Sequence, residues 1–321
     1  MTTQFPTTQV GRLTGHNGQV LALTYSAGSG QYILTGSTDR NIRLFSPSSS
    51  KLIQTYSAHG YEVLDIAVSE GNDRFVSVGG DKTVFLWDVA TAQTLKRYSG
   101  HAGRVNACAW GGEGDTVIIS GSYDSTVKLW DTKSRSERPL MTLSEAKDSI
   151  SSIHVTGPEI LVGCVDGRVR SYDIRMGQVD VDVIGHSVTS VMAAKANDSY
   201  LVSTLDSTLR LMDKRDGKLL QAFRDNEFEN KNYRLRSTLA AADSLVISGS
   251  EDGNIFVWDL LSGSLKHKLR HSQQAITDGR GGLQGSTSTK KDVVSAVAWN
   301  QLRKEWATAG GDGSVTVWGS S

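Results

Sequence analysis

Cysteine, proline and long apolar runs are all scarce in this chain of 321 residues, which has two cysteines and four prolines. Cys108 and Cys164 are too few for a disulfide framework or a cysteine-based zinc site. Each falls on or beside an expected strand, where a small apolar side chain fits, and a reduced intracellular setting is the plain expectation. No apolar run approaches about 18 residues, so no membrane span is expected. The start, Met1-Thr2-Thr3-Gln4-Phe5-Pro6, lacks both the basic-then-apolar order of a signal peptide and the glycine needed for myristoylation. Charge of one sign is missing too: Lys+Arg and Asp+Glu each number 34, for a net charge of zero. No global field draws the protein to nucleic acid or an anionic membrane, and sequence-specific nucleic-acid binding is not expected. Metal-ligand spacing of Cys and His is absent, so neither metal nor cofactor is expected.

Glycine is plentiful, at 33 residues, and it marks a repeat. Ser120-Gly121-Ser122-Tyr123-Asp124-Ser125-Thr126-Val127-Lys128-Leu129-Trp130-Asp131 reads as a strand end, a tight turn and a second strand. The same frame places Asp39 before Phe45, Asp81 before Trp87, Asp166 before Tyr172, Asp206 before Met212, Asp252 before Trp258 and Asp312 before Trp318. In all seven copies the large apolar residue lies six positions after the aspartate, and successive aspartates are 42, 43, 42, 40, 46 and 60 residues apart.

Copies of this period, marked by Gly-His and Trp-Asp, resemble the WD repeat, in which each repeat forms one four-stranded propeller blade. The resemblance implies an all-β, seven-bladed β-propeller that uses residues 1–321 as one ring. Blade three, for example, is expected on Val105–Trp110, Thr116–Ser120, Thr126–Trp130 and Pro139–Leu143, and blade six opens on Tyr233–Leu239. Gln9–Leu13 has no partner in its own repeat, while the last repeat lacks an outer strand. Residues 9–13 are therefore expected to close the ring in the last blade, where an open end would leave an unpaired edge. The Gly/Ser/Thr-rich segment 272–292, which lengthens the last interval, is expected to be a flexible surface loop.

Blade two holds His59, Ser77, Asp81 and Trp87; blade three holds His101, Ser120, Asp124 and Trp130. A Ser, a His and an Asp raise the possibility of a hydrolase. Recurrence of the set at one offset in successive blades argues instead for structural hydrogen-bond networks, because an active site is normally built once. In WD repeats the aspartate holds the imidazole, which reaches the strand hydroxyl, which in turn reaches the indole N–H, so each polar group is satisfied. The sets are uneven. Blade one ends on Phe45, blade four carries Ser144-Glu145-Ala146 in the histidine region, blade five keeps His186, blade six lacks the histidine, and blade seven has only His271, across the insertion. Blades two and three are expected to be the most rigid. Strand alternation puts Arg168 and Arg170 on one face, expected to be solvated. With no catalytic residue expected, recognition falls to the loops: Tyr61, Arg104, Tyr123, Lys82 and Arg40 flank the turn and Gly-His marks, and Tyr and Arg are frequent interface anchors.

Several phrases are more specific than the repeat itself. His59-Gly60-Tyr61-Glu62-Val63-Leu64-Asp65, Gly79-Gly80-Asp81-Lys82, Gly100-His101-Ala102-Gly103-Arg104-Val105-Asn106, Asp166-Gly167-Arg168-Val169-Arg170, Arg175-Met176-Gly177-Gln178 and Leu205-Asp206-Ser207-Thr208-Leu209-Arg210-Leu211 closely resemble the mitogen-activated protein kinase organiser family of WD-repeat scaffolds. The resemblance implies a non-catalytic scaffold, a monomer within a larger complex, in cytoplasm and nucleus. Its implied partners are kinase-cascade components, spliceosomal components of pre-mRNA splicing, or both. The alternative is a substrate receptor of a ubiquitin ligase, which needs a ligase-docking segment that is not expected outside the ring.

Overall fold

Short runs of β-branched and aromatic residues, cut by Gly, Asp and Ser turns, favour antiparallel hairpins over any longer element. The computed structural model describes residues 5–272 and 292–320, and these form seven four-stranded antiparallel sheets. Six are meanders in chain order, starting from the inner strands β2 (Val20–Tyr25), β6 (Val63–Val68), β10 (Val105–Gly111), β14 (Ile150–Thr156), β18 (Val188–Ala193) and β22 (Ser237–Ala240). The seventh runs β26 (Val294–Asn300), β27 (Glu305–Gly310) and β28 (Val315–Gly319), with β1 (Thr8–Leu13) outermost. Each inner strand packs on the next around the ring, and β26 returns to β2. The fold is an all-β, seven-bladed propeller.

The chain start closes the ring. β1 pairs antiparallel with β28 from Thr8↔Gly319 to Leu13↔Val315. Pro6 contributes its carbonyl to the Trp306 indole N–H at 2.8 Å, and Phe5 stacks 5.9 Å from Trp299. Between blades the core is apolar and aromatic, as where Phe75 stacks on Trp87 at 5.7 Å with Tyr56 against both. Burial of side chains of this size stabilises by about 1.5–3 kcal/mol each.

Two strand boundaries differ from the sequence expectation. The outer strand of blade three, β13, is only Met141–Leu143. Pro139 cannot donate to a ladder, and the loop before it is drawn aside to Lys96, whose ammonium meets the Ser134 and Ser136 carbonyls. Blade six enters its sheet only at Ser237, because Arg234 and Arg236 reach away from it. The segment expected to be a flexible loop lies, apart from its two end residues, outside the described residues.

Every turn aspartate is followed by a residue with left-handed backbone: Arg40, Lys82, Ser125, Gly167, Ser207, Gly253 and Gly313, at φ between 56° and 89°. At Gly313 the glycine is required, since a Cβ would lie 2.9 Å from the His16 carbonyl oxygen of blade one. These turns and the histidine loops share one face of the ring, called upper here; the hairpins between first and second strands form the lower face.

Candidate functional site

On blades two and three the relay runs unbroken from aspartate to indole, although in blade two Asp81 Oδ1 is buried without a partner. His59 Nδ1 lies 2.7 Å from Asp81 and its Nε2 2.7 Å from the Ser77 hydroxyl, which accepts the Trp87 indole N–H at 2.8 Å. In blade three the distances are 3.0 Å for His101 to Asp124, 2.8 Å for His101 to Ser120 and 2.8 Å for Trp130 to Ser120. The carboxylate fixes the Nδ1–H tautomer, so Nε2 accepts from the hydroxyl. The arrangement has the connectivity of a hydrolytic triad, yet Ser77 and Ser120 are fully buried and their hydroxyls are saturated by the indole. A substrate carbonyl has no approach to either.

Burial lowers the His101 pKa against the raising effect of Asp124, and lowers that of His16 likewise against Asp39. Burial alone would raise the carboxyls. At Asp124 the hydrogen bonds from Thr126 and the Ala102 amide, with His101, outweigh it and bring the pKa down to about 2. At Asp39 those from Arg43 and His16 do the same, also to about 2.

The other blades solve the same electrostatic problem with different residues, and two expectations are corrected. Arg170 does not lie on a solvated face. It is buried, with its guanidinium on Asp166 at 2.7 and 3.3 Å, where an imidazole would otherwise stand. In blade five His186 is not part of the network: its side chain is 53% exposed and 3.6 Å from Asp206, while Arg210 holds Asp206 and donates to Thr204 at 2.6 Å. Burial at Asp206 is outweighed chiefly by Arg210, and its pKa falls to about 2. In blade seven His271 does reach across the insertion, with its ring reversed. Nδ1 meets Thr308 at 2.8 Å, and Thr308 accepts the Trp318 indole N–H at 3.1 Å. Both replacement arginines stand four residues after the turn aspartate, a spacing that strand alternation alone does not reveal.

The upper-face residues are exposed, Tyr61 to 61% and Tyr123 to 58%. Arg104 lies 5.2 Å over the Tyr123 ring, a cation–π contact within one blade. Tyr61 sits against the Gly80 turn, two residues before Lys82, and Arg40 stands on the corresponding turn of blade one. Arg40, Lys82 and Arg104 have no carboxylate partner among the described residues.

Sequence reading missed the arginines of the axis. Six inner strands carry a β-bulge, for instance between Val63 and Asp65, Val105 and Ala107, and Ile150 and Ser152. A bulge leaves backbone groups without ladder partners. Arg234 enters the axial channel from blade six and donates to the bulge carbonyls of Leu64 at 2.7 Å, Ser151 at 3.2 Å and Asn106. Arg236 follows to Leu64 O at 3.1 Å and pairs with buried Asp65 at 2.7 Å. Burial, then the charge of Arg236, lowers the Arg234 pKa to about 9, so it stays cationic at neutrality. The signal was Arg234-Leu235-Arg236 in an inner-strand position, where alternation sends both side chains to one face. Among the described residues no group of three His, Cys, Asp or Glu is placed to hold a metal, and no helix is long and apolar enough to cross a membrane.

The WD domain, G-beta repeat model matches residues 7–46, 50–88, 92–131 and 237–259. The rat WD repeat domain-containing protein 83 is 47% identical over 262 residues, 82% of each chain. The human protein of that name is 45% identical over 315 residues, 98% of this chain and 93% of the relative. A homologue in Dictyostelium discoideum is 27% identical over 337 residues, 96% of this chain and 97% of the relative.

Proposed function

Because the chain belongs to the family of WD repeat domain-containing protein 83, the mitogen-activated protein kinase organiser, we propose that it gathers a multiprotein assembly on the upper face of its ring. Membership supports a protein-interaction role without catalysis of its own. The finer reading is a scaffold for pre-mRNA splicing components, for a mitogen-activated protein kinase cascade, or for both, acting in nucleus and cytoplasm.

The observation that carries this reading is the split between buried and exposed chemistry. The Ser/His/Asp sets of blades two and three are locked inside their blades, while Tyr61 and Tyr123 face solvent and Arg40, Lys82 and Arg104 have no carboxylate partner among the described residues. Turns held at their base by unbroken relays present Tyr61, Arg104 and Tyr123 at low entropic cost. With no net charge to steer association, affinity rests on such local anchors.

The test replaces Tyr61, Arg104 and Tyr123 together by Ala and measures recovery of spliceosomal and kinase-cascade components by affinity purification, with circular dichroism as the fold control. Recovery should fall by roughly tenfold or more if each residue is a hot spot worth over about 1 kcal/mol. Full recovery by a folded triple variant removes this face from the reading.

A further inference from the structure

The lower face is stitched by a repeated device, and one stitch is absent. In most blades the hairpin between first and second strands holds a polar residue in left-handed conformation that bonds to the preceding blade. Asn72 (φ 59°) accepts from the Ala27 amide at 2.7 Å, and Asp115 (φ 55°) accepts from the Glu70 amide. Asn197 (φ 55°) donates to Glu159 at 3.1 Å, and Asp243 (φ 60°) accepts from the Lys195 amide at 2.6 Å. Gln301 accepts from Ala242 at 3.1 Å, and Asn300 reaches the Ser29 carbonyl of blade one at 3.2 Å. In blade four the residue at this position is Gly157, with the same backbone (φ 58°) and no side chain. Pro158 follows and has no N–H. Among the described residues no hydrogen bond joins blades three and four on this face.

There the two blades part around a groove of about 610 Å3, within the range of about 300–1,000 Å3 usual for binding clefts. Its floor is apolar: Val117, Ile119 and Leu129 from blade three face Val155, Ile160 and Ile174 from blade four. The short outer strand of blade three extends it. Met141 pairs with Leu129 and so shares its sheet face, and it is 43% exposed because nothing covers it. Met176, beside the lining residue Arg175, is 66% exposed. Flexible thioether side chains at the rim of an apolar cleft suit an adaptable contact. The lips carry unequal charge. Glu113 and Asp115 stand on blade three, Arg175 on blade four, and neither Glu113 nor Arg175 forms an ion pair among the described residues.

We propose that this groove docks a short extended segment of a partner protein, seating an aliphatic side chain on the Ile119–Ile174 floor with a basic residue beside it against Glu113. Strand geometry argues for an extended chain: its successive side chains point to opposite faces, so one seats on the apolar floor while its neighbour turns to the carboxylate lip. The net acidic lips select the basic neighbour, and Arg175 remains to meet a carbonyl or carboxylate of the same segment. The site is independent of the upper-face reading.

The test selects a displayed library of random dodecapeptides on the full chain, with counter-selection on Gly157→Asn. That variant is expected to fold, because Asn adopts this backbone at 72 and 197 and a Cβ at Gly157 meets nothing within 4 Å. It supplies the absent stitch, toward the amide of Glu113. Enriched peptides should share an aliphatic–basic pair and shift the methyl resonances of Met141 and Met176 while leaving Met192 and Met212 in place. They should bind at least about tenfold more weakly to the Met141→Asp/Met176→Asp variant. Glu113→Lys should abolish the preference for the basic residue. Enriched peptides that bind these variants as they bind the parent overturn the proposal, as does failure to enrich any groove-dependent peptide. A concentration-dependent dimer abolished by the same substitutions also overturns it, giving the groove to a second copy of the chain.

Discussion

Replacing one serine by alanine should have very different consequences in blades three and six. Ser120 and Ser248 occupy the same register, four residues before the turn aspartate, and both are fully buried. Ser120 joins two partners, the Trp130 indole and the His101 imidazole, each at 2.8 Å. Its removal orphans a buried donor and a buried acceptor, at about 1–3 kcal/mol each, so the variant should lose about 2–6 kcal/mol. Ser248 only donates to the Gly249 carbonyl at 3.0 Å, and the Trp258 indole N–H is already buried without a partner, enclosed by Phe228 and Phe256. Ser248→Ala therefore forfeits one ordinary hydrogen bond, about 0.5–1.5 kcal/mol. Urea titration followed by tryptophan fluorescence should separate the variants, and their melting temperatures should differ by roughly 6 °C for a gap of about 3 kcal/mol, at about 2 °C per kcal/mol for a long chain. Equal losses in the two variants would refute the claim that the hydroxyl acts through the imidazole–indole relay.

Stability should fall in two steps as pH is lowered. His16 and His101 have folded pKa values depressed below 6.5, so the unfolded chain binds the extra protons, and the first loss should begin near pH 6.5 and deepen below it. Asp39, Asp124 and Asp206, held down to about 2 from 3.8, should produce the second loss between about pH 4 and 2; denaturation midpoints across this range would show it, and a flat profile from pH 7 to 4 would contradict the histidine assignment. Deleting residues 1–13 strips β1 from β28 and exposes Val315 and Val317, so melting temperature should drop and aggregates should appear in light scattering; an unchanged melt of a monomeric truncated chain would count against ring closure by β1.

The ring was legible because its signal is redundant. Seven copies of a turn aspartate and an apolar residue six positions later specify hairpin, register and blade together, and the unpartnered run at 9–13 matched a gap at the far end. Pairings that leave the repeat frame were not legible. Arg170 and Arg210 replace an imidazole from a different sequence position, so a reading by offset left them outside the networks. Arg234 finds its partners 83 to 170 residues away, where no local period points. The groove between blades three and four depends on a side chain that is not there, and the sequence shows Gly157 only as one more turn glycine.

Arg234 has a consequence for how the ring comes apart. Repeat folds are commonly treated as one-dimensional chains whose units feel only their neighbours. A guanidinium that runs from blade six to the carbonyls of blades two, three and four is a chord across the circle, and it breaks that description. Opening the seam between blades seven and one need not unravel the molecule unit by unit, since the far arc stays tethered through its middle. Such a tether couples distant blades into one cooperative transition. It also adds contacts of long sequence separation, which slow folding even as they hold the finished ring.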